Sequence, residues 1–383
     1  MTTLDHDAIA MLSNQEIIGR DEINDYAAIF ELVGSEEDSG TRSVPDHCEA
    51  QFTWDYEKGS RPALDKLYEK AKRSQWNGST DLPWDTLVDQ EAIAYQNYLD
   101  GARGPIASAN LEDTALAKWG EKEFVNLNME YQNWMLSQFM HGEQGALLCT
   151  AKIVETVPWI DAKYYAATQV MDEARHVEVF SRYLDTKLSG HYAMNGHLGL
   201  LLDDIVQDSR WDMTYLGMQI MVEGLALAAF GFMHATTEEP LLKQLLRYVM
   251  ADEARHVAFG VLSLQEVYKG LSGTEIRERQ EFAFEAALRM RDRMQGQEIW
   301  DRLGVSTQDA AAITLGDPTR VEFQSLLFSK IVPNCKKLGL LDAGDGWLRT
   351  KFTEMGVIAF EDWEDTTLDA DANADGSPVT RGV

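Results

Sequence analysis

Cysteine and positive charge are both scarce in this sequence of 383 residues. The three cysteines, at positions 48, 149 and 335, form no Cys-x-x-Cys pair. Their spacing argues against a disulfide framework, a structural zinc site or a rubredoxin-type iron site within the chain. The 63 acidic residues outnumber the 34 basic ones and give a formal net charge of −29. Because this charge repels phosphate groups, neither nucleic acid nor an anionic membrane is an expected partner.

Long apolar runs and a basic N-terminal region are also missing. No stretch approaches the roughly 18 apolar residues that indicate a membrane-spanning helix. Residues 1–17 carry acidic residues and lack the basic region of a secretory signal. Since cysteine is rare as well, the cytoplasm is the expected compartment.

Proline is nearly absent between residues 121 and 303, where it occurs only at positions 158 and 240. Apolar residues recur there at helical spacing, whereas no strand pattern of similar strength is found. The pattern predicts an all-α protein with five helices in this region, at 121–157, 161–188, about 211–234, 241–268 and 274–300. Thr274 is the expected N-cap of the fifth helix.

The flanking regions differ in composition from this helical part. A further helix is expected at 61–76, with Pro62 near its first turn. The predicted organisation is an N-terminal extension with helices that pack on the bundle (1–120), the helical bundle (121–303), a C-terminal helical extension (304–360) and an acidic, disordered tail (361–383).

One hexapeptide, Asp-Glu-Ala-Arg-His-Val, occurs twice, at 172–177 and at 252–257. Each copy contains a Glu-x-x-His pair, and residues three apart lie on the same face of a helix. One such pair is typical of an exposed salt bridge, but two identical copies are not. The two pairs are Glu173 with His176 and Glu253 with His256.

A lone glutamate precedes each pair by thirty residues: Glu143 precedes Glu173, and Glu223 precedes Glu253. Both lone acids lie among small and apolar residues, in Gly-Glu-Gln-Gly-Ala-Leu-Leu and Val-Glu-Gly-Leu-Ala-Leu-Ala. Burying a carboxylate without a partner costs several kcal/mol, so positive charge is expected between the helices. Two divalent metal ions would neutralise the four carboxylates.

This donor set is the one found in ferritin-like di-iron and di-manganese helical bundles. Oxygen-rich ligation with two imidazoles and no thiolate favours iron or manganese over structural zinc. The predicted metal ligands, which are also the predicted catalytic residues, are Glu143, Glu173, His176, Glu223, Glu253 and His256.

The doubled pattern of a lone glutamate followed by Asp-Glu-x-Arg-His resembles the ferritin-like, ribonucleotide-reductase-related di-iron oxygenases, including bacterial multicomponent monooxygenase hydroxylases. The resemblance covers about residues 121–303. It implies a ferritin-like four-helix bundle with additional N- and C-terminal helices, and two iron ions with manganese as the alternative. It also implies that Asp172 and Asp252 hold the ligand histidines and that Arg175 and Arg255 pair with these aspartates. An acid that hydrogen-bonds a metal-bound histidine fixes the orientation of its ring, and each aspartate is expected to do so for the histidine of the opposite helix.

Three positions depart from the patterns of known groups in this superfamily. Phe180 stands where ribonucleotide reductase subunits carry their radical tyrosine, and Val249 stands where aryl-amine N-oxygenases carry an additional histidine. Leu227 replaces a threonine that is usual in multicomponent hydroxylases. The chain is therefore none of these three types in plain form.

The expected function is that of a di-iron oxidoreductase, monooxygenase-like, which uses O2 to hydroxylate or N-oxygenate a small organic substrate. Since the sequence has no flavin or nicotinamide fingerprint, a separate ferredoxin or reductase is expected to supply electrons. A ferroxidase or iron-handling protein and a dimanganese catalase-like enzyme stay open as alternatives. A homodimer is expected. The candidates for lining an apolar substrate cavity are Phe180, Phe230, Phe232 and Met140.

Overall fold

Helices form the architecture throughout the part of the chain that the structure describes. The computed structural model describes residues 12–34, 40–101, 106, 109–315 and 317–363. Among these residues there is no β-strand, which confirms the predicted all-α class. Of the tail predicted at 361–383, residues 364–383 lie outside the described residues.

Sixteen α-helices follow one another along the described residues. Their bounds are Asn14–Ile18 (α1), Tyr26–Glu31 (α2), Pro62–Arg73 (α3), Gln90–Leu99 (α4), Glu121–Thr156 (α5), Ile160–Lys187 (α6), Gly196–Gln207 (α7), Trp211–Tyr215 (α8), Glu223–Thr236 (α9), Pro240–Tyr268 (α10), Gly273–Arg293 (α11), Gln297–Arg302 (α12), Thr307–Leu315 (α13), Pro318–Leu326 (α14), Ile331–Lys337 (α15) and Trp347–Glu354 (α16). Short 3-10 turns lie at Ala115–Lys118, Leu327–Ser329 and Ile358–Phe360, and a π-helical segment at Leu216–Val222 joins α8 to α9.

The central four-helix bundle consists of α5, α6, α9 and α10. A short connection at 157–159 joins α5 to α6, and another at 237–239 joins α9 to α10, so each half is a helical hairpin. The two halves meet where α6 packs against α10. This arrangement confirms the predicted bundle, in which each copy of the hexapeptide lies on the second helix of a hairpin.

Proline determines where the hairpins turn. Helix α5 ends at Thr156, and Val157 is extended, since a residue before proline is disfavoured in the helical conformation. Helix α10 begins with Pro240 at its first position, where a missing N–H group does no harm. The Glu239 carboxylate caps this helix by accepting hydrogen bonds from the N–H groups of Leu241 and Leu242.

The prediction for the fifth helix was wrong at both ends. Its N-cap is Ser272 rather than Thr274, and Ser272 forms a reciprocal capping box with Glu275. The helix predicted at 274–300 is divided into α11 and α12 by Gly296, which takes the left-handed conformation with φ 66°. Glycine enters this conformation without the steric penalty of a Cβ atom, so the chain turns there.

The chain from Trp211 to Thr236 corrects the expectation that no segment is apolar enough to span a membrane. By length and composition this helical stretch passes that test, but 78% of its most apolar window is buried inside the protein. It carries Glu223 into the bundle, and it is therefore a core helix of the fold.

Additional helices cover the bundle on both sides. Helix α3 packs against α6 and α10, and α4 packs against α5. After the bundle, α11 packs against α7 and the π-helical segment, and α16 packs against α11. The predicted N- and C-terminal helices are thus present as packing partners. The residues that follow α3 come close to the predicted ligands.

Candidate metal centre

The structure brings all six predicted ligands together at the centre of the bundle. Each of the four helices supplies at least one of them, and none of the six residues is more than 5% exposed. They form two groups, in each of which one ligand atom per residue lies within 4.8 Å of the others. The first group comprises Glu143, Glu173, His176 and Glu253, and the second comprises Glu173, Glu223 and His256.

Around His176 the structure gathers one oxygen from each of three glutamates. The Nδ1 atom of His176 lies 3.2 Å from Oε2 of Glu143, 3.3 Å from Oε2 of Glu173 and 3.2 Å from Oε1 of Glu253. These four atoms surround one point, as the donor atoms of a metal site do.

His256 faces Glu173 and Glu253, in each case the carboxylate oxygen that is not directed at His176. Its Nδ1 atom lies 3.0 Å from Oε1 of Glu173 and 3.6 Å from Oε2 of Glu253. Glu173 and Glu253 therefore each present one oxygen toward His176 and the other toward His256. The two imidazole rings are 6.0 Å apart between centroids. Such carboxylates are placed to bridge two adjacent metal positions.

Several polar atoms of this cluster are buried and have no hydrogen-bond partner among the described residues. In native structures most buried polar atoms are paired, so a group of unpaired atoms at one point requires an explanation. A bound cation would satisfy them all, and the donor set thus fits metal ions. The atoms are Oε2 of Glu173, Oε2 of Glu223, both carboxylate oxygens of Glu253 and Nδ1 of His256.

The charges of the cluster are strongly coupled. Burial, followed by the charge of Glu253, raises the pKa of Glu143 well above its usual value. The same two causes raise the pKa of Glu223. The two lone glutamates thus hold protons readily as long as no cation is bound beside them.

The histidines show the opposite response to burial. Burial lowers the pKa of an imidazole, but the charge of Glu143 outweighs it and raises the pKa of His176 well above the usual value. The charge of Glu173 does the same for His256. Without metal, the centre therefore binds protons, and metal ions would compete with them.

Two aspartates hold the outer nitrogens of the histidines. Nε2 of His176 lies 3.2 Å from Oδ2 of Asp252, and Nε2 of His256 lies 3.4 Å from Oδ2 of Asp172. Each histidine thus contacts the aspartate of the opposite helix, as the sequence predicts. With Nε2 directed at a carboxylate, Nδ1 is left for a metal ion. The orienting role itself stays a prediction.

The two arginines of the hexapeptides link these aspartates. Arg175 donates to Asp172 and also, over 3.1 Å, to Asp252. Arg255 donates to Asp252 and approaches Asp172 at 3.5 Å. The pairing predicted for the arginines is therefore present in crossed form, and two positive charges face two negative charges beside the centre.

Two residues of this outer layer were missed by the sequence analysis. Nε1 of Trp76 donates to Oδ2 of Asp252 over 2.8 Å, and Nε2 of Gln75 donates to Oδ1 of Asp172 over 3.0 Å. Gln75 also accepts a hydrogen bond from Arg175. Both residues follow α3 and lie about a hundred positions or more from their partners, so no local pattern identifies them.

Gln169 is a third missed residue. Its Nε2 atom donates to Oε1 of Glu173 over 3.0 Å and to Oε1 of Glu223 over 2.8 Å. It lies four residues before Glu173 on the same helical face, a spacing that could have identified it. Gln169 therefore connects Glu173 to the lone Glu223.

A small cavity adjoins the centre beside Glu143, Glu223 and Glu253. Its volume is about 10 Å³, enough for roughly one water molecule. The other lining residues are Gln138, Phe139, Gly142, Ala146, Val222, Ala226 and Arg293. Small side chains thus lie beside both lone glutamates.

The four predicted lining residues do not line this cavity, and that prediction was wrong. Phe180 and Phe230 are buried and pack with Phe139 behind it. Phe232 is 42% exposed and lies against Phe323. Helical spacing alone does not distinguish a cavity wall from a packed interior, so the sequence pattern did not reveal that these aromatic residues lie elsewhere.

Comparison with known proteins gives similar structures but no family assignment. No protein-family model matches the chain, and no curated protein matches it. Among solved structures, a mutant R2-like ligand-binding oxidase with anaerobically reconstituted Mn/Fe cofactor is 19% identical with a TM-score of 0.46, and covers 73% of this chain and 94% of its own. A mutant with aerobically reconstituted Mn/Fe cofactor is 17% identical with a TM-score of 0.43, and covers 81% of this chain and 95% of its own.

Proposed function

We propose that this protein is a non-haem di-iron oxidoreductase that uses O2 and external electrons to oxidise a small organic substrate. The observation that carries the proposal is the position of Glu173 and Glu253, which each present one oxygen toward both histidines. This geometry supports two adjacent metal positions in place of one.

His176 and Glu143 would complete one metal position, and His256 and Glu223 the other. Four carboxylates would neutralise two divalent ions within a buried site, where uncompensated charge is costly. The donor set of carboxylates and imidazoles, without thiolate, suits iron and also manganese. These six residues would hold two redox-active ions, which would pass electrons from an external donor to O2, a reaction that protein side chains do not perform.

The residues around the centre would orient the ligand histidines, shield the centre from water and leave room for the reactants. Asp252 and Asp172 hold the Nε2 protons of the histidines, which keeps Nδ1 directed at the metal positions. The ligands are almost fully buried, so bulk water is kept away from the reacting atoms. The cavity beside Glu143 and Glu223 is the proposed place where O2 and the reacting end of a substrate meet the centre.

Electrons would come from a separate ferredoxin or reductase. The three cysteines of the chain are too dispersed to hold an iron–sulfur cluster, and the two buried ones, Cys149 and Cys335, lie on different helices, α5 and α15. Reduction of O2 therefore requires an external donor, unless the substrate itself supplies the electrons. Oxygen consumption that stops when the donor is left out would support this part of the proposal.

The metal content of histidine variants tests the proposal. In His176→Ala and His256→Ala we expect fewer than two ions per chain, because each change removes one nitrogen ligand. His197→Ala is a matched control, since His197 is also buried but bonds to the carbonyl of Ile29. Two ions per chain in both ligand variants would refute the metal assignment, and storage of many ferric ions per chain would favour the ferroxidase alternative.

A further inference from the structure

Arg293 is a buried cation at the edge of the centre. It is the last residue of α11, it is 2% exposed, and it lines the cavity together with Glu143, Glu223 and Glu253. Its Nε and Nη1 atoms have no hydrogen-bond partner among the described residues. Burial lowers the pKa of Arg293 to about 10, so the guanidinium remains charged near neutral pH.

The acidic residues next to Arg293 in the chain are engaged elsewhere. Asp292 pairs with Arg20 and Arg291. Glu298 accepts hydrogen bonds from Trp134, over 2.8 Å, and from Asn195. Among the described residues Arg293 forms no ion pair, and the acids that share its cavity are the proposed metal ligands Glu143, Glu223 and Glu253.

Among the charged groups of the centre and its outer layer, Arg293 is left without an opposite charge once metal ions are bound. With two divalent ions bound, the four ligand glutamates are neutralised. Asp172 and Asp252 neutralise Arg175 and Arg255. One positive charge then remains in the cavity. An unpaired buried charge is strongly unfavourable, and a bound anion would remove this penalty.

We propose that Arg293 binds the carboxylate of an anionic substrate in the cavity, beside the lone glutamates of the centre. This inference rests on the proposed function and names the class of its substrate. A planar carboxylate matches the guanidinium and supplies the single negative charge that is needed. A tetrahedral phosphate is bulkier than a planar carboxylate and carries more negative charge than Arg293 alone neutralises. The cavity has room for about one water molecule, so binding a carboxylate requires the Arg293 side chain to move.

Acetate binding to the metal-loaded protein tests the role of Arg293. We expect acetate to bind the wild type and to bind Arg293→Met about 10- to 100-fold more weakly, as for the loss of a charge-assisted hydrogen bond. The acetate affinity of Arg293→Lys, which keeps the charge but not the planar donor group, should lie between those of the wild type and Arg293→Met. Acetamide is neutral, so its affinity should differ much less among the wild type and the two Arg293 variants. Isothermal titration calorimetry gives the affinities.

Arg289→Met is the matched control. Arg289 lies one turn earlier on α11 and pairs with Glu285 at 2.7 Å, outside the cavity lining. This variant should bind acetate like the wild type. The melting temperature of Arg293→Met without acetate should not fall, because the change removes an unpaired buried charge. Acetate should raise the melting temperature of the wild type more than that of Arg293→Met.

Equal acetate affinity in the wild type and Arg293→Met would overturn the inference, and so would a wild type that binds no acetate. The proposed function fails separately, through metal content measured on the same samples. Titration of the metal-free protein with acetate distinguishes failure of the anion site from failure of the proposed function. Acetate binding there that depends on Arg293 upholds the anion site whatever the metal content of the loaded protein.

Discussion

Replacing Asp252 with asparagine tests whether the outer carboxylates serve the metal centre or only the fold. Oδ2 of Asp252 accepts from Nε1 of Trp76 over 2.8 Å, from Arg175 over 3.1 Å and lies 3.2 Å from Nε2 of His176, while Oδ1 accepts from Arg255. An asparagine has one oxygen for these donors. If the asparagine oxygen takes the Oδ2 position, the amide NH2 group faces the guanidinium of Arg255, so two hydrogen-bond donors meet.

This change has two expected effects, one on stability and one on metal affinity. Loss of the charge leaves Arg175 and Arg255 to share Asp172, and breaking a buried ion pair in this way costs about 3–5 kcal/mol of stability. Loss of the carboxylate that orients His176 should weaken metal binding about 10- to 100-fold, which corresponds to about 1.4–2.7 kcal/mol. Burial acts to raise the pKa of Asp252, but His176 and Arg255 outweigh it and hold the pKa below the usual range. The carboxylate is therefore ionised in the wild type, and the amide removes a full charge.

Equilibrium dialysis against Fe(II) or Mn(II), together with thermal unfolding, separates the two roles. Asp161→Asn is a matched control, because Asp161 is a buried acid on the same bundle that accepts from the N–H groups of Gly59 and Arg61. It should lower the melting temperature and leave metal affinity unchanged. Wild-type metal affinity in Asp252→Asn, with a lowered melting temperature alone, would refute the orienting role.

Two further predictions concern protons and packing. Because the pKa of His176 and of His256 is raised in the metal-free centre, both are protonated below that raised pKa, and metal binding must displace the protons. Apparent metal affinity should rise with pH and be lost as pH falls, with proton release visible to an indicator dye in weak buffer; binding without proton release would contradict this. A Cβ atom at Gly260 would lie 2.6 Å from Cβ of Gln219 in the π-helical segment, so Gly260→Ala should lose about 1–3 kcal/mol of unfolding free energy. Gly142→Ala, which meets nothing within 4 Å, should gain up to about 1 kcal/mol, and equal urea midpoints for the two variants would show the packing argument to be wrong.

The donor set of the centre leaves the choice between iron and manganese to experiment. Carboxylate and imidazole donors bind both ions, and the geometry of the donor atoms around His176 and His256 does not distinguish them. Metal analysis of protein loaded with equal amounts of both ions would give the preference directly.

The sequence by itself determined the helices of the bundle and the six candidate ligands. Helical hydrogen bonds join residues four positions apart, so periodicity and proline positions are enough to place α5, α6 and α10. The Glu-x-x-His spacing places each pair on one face for the same reason. The thirty-residue interval from lone glutamate to pair spans one hairpin, and its repetition made Glu143 and Glu223 recognisable.

Only the tertiary structure decided which residues surround those ligands. Trp76 reaches Asp252 across 176 positions of the chain, and Gln75 reaches Asp172 across 97, because α3 packs on α6 and α10. Arg293 enters the cavity because α11 packs against the π-helical segment. Such contacts depend on the packing of whole helices against one another, which fixes distances between residues that share no local pattern.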